Sequence, residues 1–140
     1  MGKKQISIIN GPNLNLLGKR ETGLYGDEAF EPFLERLRQR FPEVDIQYVQ
    51  SNIEGELIDA IQKAGFEADA IILNPGGYTH TSVAIGDAIA AVKAPVIEVH
   101  ISNIFAREEF RKHSYVSAKA VGVISGLGLK GYEMALSYFL

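Results

Sequence analysis

The sequence predicts a doubly wound α/β fold, in which helices cover both faces of a parallel sheet. Two observations predict it: short apolar runs rich in β-branched residues recur along the chain, and segments with helical spacing separate them without a linker or a repeat. The apolar runs span residues 5–10, 44–50, 68–74, 95–100 and 120–125. We therefore expect a five-stranded parallel sheet in one domain over residues 1–140.

Apolar residues repeated every three or four positions predict the connecting helices. These helices span residues 28–40, 54–64, 82–92, 107–112 and 129–140. The alanine-rich segment 82–92 is apolar on more than one side, so we expect it to pack against another subunit as well as the sheet. The last helix has a stripe that includes Met134, Leu136 and Phe139.

Composition excludes several classes of function. A net charge of −3 leaves no basic surface for nucleic acid, and the absence of cysteine excludes disulfides and thiolate chemistry. The three histidines lack the spacing of a zinc motif, so no metal site is expected. No apolar run is long enough to cross a membrane, and the first residues do not form a signal peptide. We therefore expect a cytoplasmic protein without membrane attachment.

Polar residues follow the first, third and fourth predicted strands. Ligands of such sheets bind at the carboxyl ends of the strands. The first of these loops, NGPNLNLLGKR, carries Asn13, Asn15 and Arg20, and Tyr25 follows five residues later. Amide, guanidinium and phenol groups in one loop predict a site for a polar ligand.

The segment ILNPGGYTHTS follows the third strand. Its proline and glycines form a turn, but they are no phosphate loop, because no Gly-Lys-Ser/Thr sequence follows. For Thr79, Thr81 and Ser82 we favour a role in capping the next helix. Asn74 and His80 flank the end of the strand and are candidates for ligand binding.

The segment IEVHISNIFAREEFRKHSY contains the fourth predicted strand and the loop after it, and it carries four candidate residues. Glu98 and His100 lie two residues apart on a strand, so they point to the same side, and a carboxylate beside an imidazole suits a general acid. A structural hydrogen bond at a sheet edge is the alternative. Arg107 and Arg111 lie four residues apart, on one face of the predicted helix, where solvated pairs with neighbouring glutamates are the alternative.

Tyr25 is a candidate base only if its phenolate is stabilised by about 3–4 kcal/mol. One exposed arginine would not provide that, whereas two in a closed pocket would. Glycines at both ends and in the middle of residues 18–26 are typical of a hinged lid. From the residues alone, however, a tyrosine packed beneath a loop is the more natural interpretation.

Taken together, these motifs resemble the type II 3-dehydroquinate dehydratases. The matching segments are NGPNLNLLGKRE with LYG, NPGGYTHTSVAIGDA, EVHISNIFAREEFRKHSY and GVISGLGLKGYEMAL. The resemblance implies a flavodoxin-like catalytic domain that uses no metal or cofactor. It also implies a homododecamer, assembled as a tetramer of trimers. It also implies a lyase of the shikimate pathway that converts 3-dehydroquinate to 3-dehydroshikimate and water, by anti elimination through an enolate.

The resemblance implies particular catalytic roles. Tyr25 would remove the proton next to the ketone, and Arg20 and Arg107 would stabilise its phenolate. Asn13 would hold a water against the enolate oxygen. His100, which Glu98 would orient, would protonate the departing hydroxyl.

The resemblance also implies the substrate contacts. Asn74 would bind the substrate near the leaving group. The backbone N–H groups of Ile101 and Ser102 would receive the carboxylate. His80 and Arg111 would hold the ring hydroxyls, and Asp87 would come from a neighbouring subunit.

Two other ligand-binding classes share this predicted fold. A flavin-binding module needs a phosphate loop rich in serine and threonine, where this chain has Gly-Pro-Asn-Leu-Asn. A phosphoacceptor receiver domain needs aspartates where this chain has Asn10 and Asn74. A scaffold protein would leave the candidate catalytic side chains dispensable.

Overall fold

The computed structural model describes residues 2–140 and contains a parallel sheet of five strands. The strands are β1 (Lys4–Asn10), β2 (Val44–Gln50), β3 (Ala70–Asn74), β4 (Val96–His100) and β5 (Gly122–Ser125). Their order across the sheet is β2-β1-β3-β4-β5, and every neighbouring pair is parallel. The predicted flavodoxin-like fold is confirmed.

Five α-helices and several short 3₁₀ turns connect the strands within the described residues. The α-helices are α1 (Thr22–Tyr25), α2 (Phe30–Arg40), α3 (Glu54–Glu67), α4 (Val83–Ala91) and α5 (Lys130–Tyr138). No helix in residues 2–140 combines the length and apolarity needed to cross a membrane. The predicted helix at 107–112 is wrong in its first half, because only Glu109–Lys112 forms a 3₁₀ turn and Arg107 has extended backbone.

Two apolar cores lie on opposite faces of the sheet. Helices α2 and α5 pack on one face, where Ile8 is fully buried, and α3 and α4 pack on the other, where its neighbour Ile9 is fully buried. Successive strand residues point to opposite faces, so both must be apolar when helices cover both sides. The predicted stripe of the last helix is partly wrong: Leu136 is buried, but Met134 is 44% exposed and the buried face carries Tyr132.

The register of β1 and β3 brings two site loops together. Asn10 pairs with Asn74 at the carboxyl ends of these strands. Beyond them, the Gly11 N–H donates to the Asn74 carbonyl at 2.7 Å, and a Cβ on Gly11 would lie 2.5 Å from the Pro75 carbonyl oxygen. Glycine is therefore required where the two loops touch.

Helix α4 begins at a serine cap. The Ser82 hydroxyl accepts a hydrogen bond from the Ile85 N–H at 3.0 Å, which confirms the capping interpretation for this residue. Thr79, which lies two residues before Thr81, is fully buried and does not cap the helix. Its hydroxyl has no hydrogen-bond partner among the described residues.

Candidate active site

A polar cavity of about 110 Å³ lies at the carboxyl ends of β1, β3 and β4. All the candidate site residues except Glu98 and Asp87 line it, and their assigned roles stay predictions. These lining residues are Asn13, Arg20, Tyr25, Asn74, His80, His100, Ile101, Ser102, Arg107 and Arg111. The topology explains the convergence, because the ends of neighbouring parallel strands meet at one edge of a sheet.

Tyr25 lies between two guanidinium groups. Its hydroxyl oxygen accepts hydrogen bonds from Arg107 Nη1 at 2.8 Å and from Arg20 Nη2 at 3.2 Å. The Arg20 guanidinium carbon also lies 4.2 Å from the centre of the phenol ring. The two arginines that the sequence analysis paired with Tyr25 therefore both contact its hydroxyl oxygen.

The segment that carries Tyr25 is folded over the cavity. Leu14 and Leu17 are buried and anchor its start, and Gly18 and Gly26 adopt positive φ angles of 90° and 83° on either side of α1. These left-handed positions suit glycine and allow the chain to turn sharply. Tyr25 also packs against the apolar core, so the expectation of a tyrosine under a loop describes part of its environment.

Arg107 is held more firmly than Arg20. Its Nη1 also donates to the hydroxyl of buried Ser102 at 3.1 Å, and its side chain is 13% exposed. The Arg20 side chain is 23% exposed and forms a second contact, 3.4 Å long, with Glu21. Extended backbone at Arg107 lets this side chain reach Tyr25, which explains why the local helical pattern fails there.

Asn13 adopts a left-handed backbone, with φ of 69°. Its N–H donates to Asn52 Oδ1 at 3.0 Å, and Gln50 Nε2 donates to the same oxygen at 3.2 Å and to the Gly11 carbonyl at 3.1 Å. Sequence reasoning missed Gln50 and Asn52, although two amides within three residues of a strand end were a usable signal. Their contacts fix the backbone of the first site loop.

Glu98 and His100 form a buried hydrogen-bonded pair on β4. Ser117 and Ser114 donate to the other carboxylate oxygen at 2.7 and 3.2 Å. Burial alone would raise the pKa of Glu98, but these hydrogen bonds and the imidazole outweigh it and hold the pKa below its ordinary range. Because β4 is interior to the sheet, the alternative of a sheet-edge pair does not apply.

The ionised Glu98 fixes the tautomer of His100. A carboxylate can only accept, so His100 Nε2 carries the hydrogen that it donates to Glu98. Nδ1 is then the nitrogen that can exchange a proton with a ligand in the cavity.

His80 has the opposite arrangement of its ring nitrogens. Its Nδ1–H donates to the His113 carbonyl at 2.7 Å, which leaves Nε2 as the second nitrogen. Burial lowers the pKa of His80, and the charges of His100 and Arg111 lower it further, against the opposing effect of the carbonyl. His80 is therefore neutral, with Nε2 as a hydrogen-bond acceptor.

Comparison with known proteins decides the family. A model of the family Dehydroquinase class II matches residues 4–140. A curated relative, the 3-dehydroquinate dehydratase of Shewanella sediminis, is 54% identical over 137 residues, which are 96% of this chain and 89% of that protein. The chain belongs to the class II dehydroquinase family. This is a family of 3-dehydroquinate dehydratases, which are lyases of the shikimate pathway.

Solved structures of the class II dehydroquinase family agree with this fold. The type II dehydroquinase from Butyrivibrio crossotus has a TM-score of 0.94 and 46% identity, covering 98% of this chain and 97% of that one. The type II dehydroquinase from Propionibacterium acnes has a TM-score of 0.93 and 45% identity, covering 98% and 96%. The fold is therefore shared over nearly the whole chain.

Of the four remaining candidate residues of this class II dehydroquinase, three line the cavity. Ile101 and Ser102 line the cavity directly after β4. Asp87 is not brought to the cavity of its own chain: its side chain is 70% exposed on α4, where it pairs with Lys119 at 3.5 Å. Arg111 lines the cavity but also pairs with Glu108 at 3.1 Å, so the predicted solvated pair describes part of its contacts.

Among the described residues, the side chains that line the cavity define which groups can transfer protons there. No lysine lines the cavity. No three histidine, aspartate or glutamate side chains in residues 2–140 come together as potential metal ligands. The groups available for proton transfer in the cavity are a phenol and two imidazoles, with amides and guanidiniums around them.

Sequence reasoning also missed Tyr132. This residue of α5 is fully buried, and its hydroxyl hydrogen-bonds to both Asn10 and Asn74. A tyrosine on the buried face of an otherwise apolar helix was the available signal, because a buried hydroxyl needs a partner.

Proposed function

We propose that this chain dehydrates 3-dehydroquinate to 3-dehydroshikimate, with Tyr25 as the base and His100 as the acid. One observation carries the proposal: a phenol between two guanidiniums and a carboxylate-bound imidazole line the same cavity. An elimination next to a ketone needs both groups, because one proton leaves carbon and another must reach a poor leaving group.

The first step forms the enolate. The phenolate of Tyr25 takes the proton from the carbon next to the ketone, and the C–H electron pair moves into the enolate. Arg20 and Arg107 donate hydrogen bonds to the tyrosine oxygen that takes this proton. Asn13 holds a water whose hydrogen bond stabilises the enolate oxygen. The anchoring of the Asn13 backbone by Asn52 supports this role.

The second step expels water. The enolate electrons form the carbon–carbon double bond and regenerate the ketone, while the carbon–oxygen bond to the hydroxyl breaks. The Nδ1 proton of the His100 imidazolium goes to the leaving oxygen. Glu98 balances the imidazolium charge before transfer and keeps the ring oriented. Tyr25 then releases to solvent the proton that it took from carbon, and His100 takes up a proton from solvent at Nδ1. Both side chains have then returned to their starting forms.

The remaining residues bind the substrate. The N–H groups of Ile101 and Ser102 receive its carboxylate, and Asn74 binds near the leaving group. Neutral His80 accepts a hydrogen bond at Nε2 while the Arg111 guanidinium donates, so together they match ring hydroxyls, which both donate and accept.

The active form is a cytoplasmic homododecamer, which is a tetramer of trimers, and residues 1–140 form the catalytic domain of each subunit. Asp87 reaches the cavity of a neighbouring subunit; its exposure on α4, away from its own cavity, supports this assignment. No metal or cofactor takes part, because the side chains described above account for every proton transfer.

Adding 3-dehydroquinate to the purified protein tests the proposal. The enone product should appear as rising ultraviolet absorbance. Tyr25→Phe should nearly abolish the signal, while Tyr138→Phe, which alters a tyrosine that is 65% exposed on α5, should leave it unchanged. Correctly assembled wild-type protein without the signal would refute the function, and an active Tyr25→Phe variant would refute the assignment of the base.

A further inference from the structure

A buried phenol of helix α5 lies beneath the cavity, between the ends of β1 and β3. We propose that Tyr132 is a positioning residue for the dehydration, because its hydroxyl fixes the orientation of the Asn74 amide that binds the substrate. This inference rests on the proposed function, in which Asn74 lies near the leaving group.

The contacts place the hydroxyl between two amides. Tyr132 Oη donates to Asn10 Oδ1 at 2.8 Å, and Asn74 Nδ2 donates to Tyr132 Oη at 2.9 Å. The strand register sets Asn10 directly beside Asn74, so one hydroxyl can reach both. Tyr132 and Asn10 are fully buried and Asn74 is 3% exposed, so bulk solvent does not reach the hydroxyl.

The direction of these hydrogen bonds determines which end of the Asn74 amide faces Tyr132. A hydroxyl has one hydrogen, and Tyr132 gives it to Asn10, so only a donor can occupy the other side. The Gly76 N–H donates to Asn74 Oδ1 at 3.1 Å, which independently requires the same orientation. One Nδ2 hydrogen and one Oδ1 lone pair of Asn74 remain for a ligand.

Two further observations keep this arrangement fixed. Asn10 Nδ2 donates to the Tyr48 hydroxyl at 3.3 Å, which directs Asn10 Oδ1 toward Tyr132. Burial raises the pKa of Tyr132 well above its ordinary range, against the opposing effect of the Asn74 hydrogen bond. The hydroxyl therefore keeps its hydrogen at neutral pH.

The ring and the hydroxyl of Tyr132 have separable roles. The ring packs edge-on against Phe30, with centroids 5.0 Å apart, and belongs to the apolar core. A phenylalanine would keep that packing but leave Asn74 Nδ2 without its partner, so that only the Gly76 N–H would hold the orientation of the amide. Removing the hydroxyl thus perturbs orientation, whereas removing the ring perturbs stability.

Steady-state kinetics of Tyr132→Phe test the proposal. We expect kcat to fall about tenfold, the effect of one lost hydrogen bond to a group that must be oriented, with a smaller change in KM. Tyr138→Phe, on the exposed face of the same helix, serves as the matched control with unchanged kinetics. Wild-type and control turnover also check the proposed function separately from the role of Tyr132.

A double-mutant cycle distinguishes positioning from general stabilisation. In an Asn74→Ala background, Tyr132→Phe should cause no further loss of kcat, because the amide it positions is absent. Asn10→Ala offers a second variant if Tyr132→Phe folds poorly: it frees the Tyr132 hydrogen to bond Asn74 Oδ1, so kcat should also fall. Unchanged kcat in folded Tyr132→Phe or Asn10→Ala, or additive losses in the cycle, would overturn the proposal.

Discussion

Replacing Arg107 with alanine should slow the enzyme strongly, although this residue lies 82 positions from Tyr25 in the sequence. Its guanidinium donates at 2.8 Å to the tyrosine hydroxyl, the shorter of the two arginine contacts there. The Ser102 hydroxyl holds the same nitrogen at 3.1 Å. Alanine removes both the positive charge and the hydrogen-bond donor that Arg107 places beside the Tyr25 oxygen.

The contacts give the expected size of the effect. A hydrogen bond to a charged group contributes about 1.5–3 kcal/mol, so about 2 kcal/mol corresponds to a roughly 30-fold loss of kcat/KM. The side chain is only 13% exposed, so solvent screens the charge little. Arg107→Lys should lose less, because it keeps the charge but cannot contact Tyr25 and Ser102 with one planar group.

The assay follows enone formation by absorbance at saturating and limiting substrate. Arg40→Ala is the matched control, since Arg40 is 63% exposed, pairs with Glu133 and lies outside the cavity. Guanidinium ion added at low millimolar concentration should restore part of the Arg107→Ala rate. Wild-type kcat/KM in Arg107→Ala would refute the proposed catalytic role of the Arg107 contact with Tyr25.

Three other predictions follow from the packing and charges. Gly11→Ala should lower the free energy of unfolding by about 1–3 kcal/mol in urea titrations, because its Cβ would lie 2.5 Å from the Pro75 carbonyl oxygen. Gly55→Ala is the control, since the space around its Cβ is open. Equal urea midpoints for the two variants would contradict the predicted clash. Hydrogen bonds hold the pKa of Glu98 below its ordinary value of 4.5, so its stabilisation is complete above that value and is lost as pH falls through the folded pKa. The difference in unfolding free energy between wild type and Glu98→Gln should therefore narrow below about pH 4.5, and a constant difference would argue against it. Asp87→Asn should weaken substrate binding in calorimetry without changing the melting temperature, whereas unchanged affinity would exclude the shared site.

The fold could be predicted because its signals are local. Apolar runs and helical stripes lie within single elements, so the strand ends at Asn10, Gln50, Asn74, His100 and Ser125 were predicted correctly. The pairing of Glu98 with His100 was also accessible, since two residues on one strand face share a known spacing. These predictions required no knowledge of distant contacts.

The supporting residues of the site could not be predicted from local patterns. Tyr132 contacts Asn74 and Asn10 across 58 and 122 positions, and no local pattern indicates which strands its hydroxyl will meet. Ser117 reaches Glu98 across 19 positions, from a connection that has the composition of an ordinary loop. The extended backbone at Arg107 likewise depends on a tertiary contact that overrides the local helical pattern.

Tyr132 lies on α5, which follows all five strands in the sequence, and this order has a consequence for biosynthesis. The ribosome synthesises β1 and β3 before α5, so Asn10 and Asn74 lack their shared hydrogen-bond partner until residue 132 has been translated. Proteolytic cleavage before α5 would likewise remove the hydrogen bonds of Tyr132 to Asn10 and Asn74, although no residue of the sheet would be lost. The contact between Tyr132 and Asn74 thus forms only after all five strands have been synthesised.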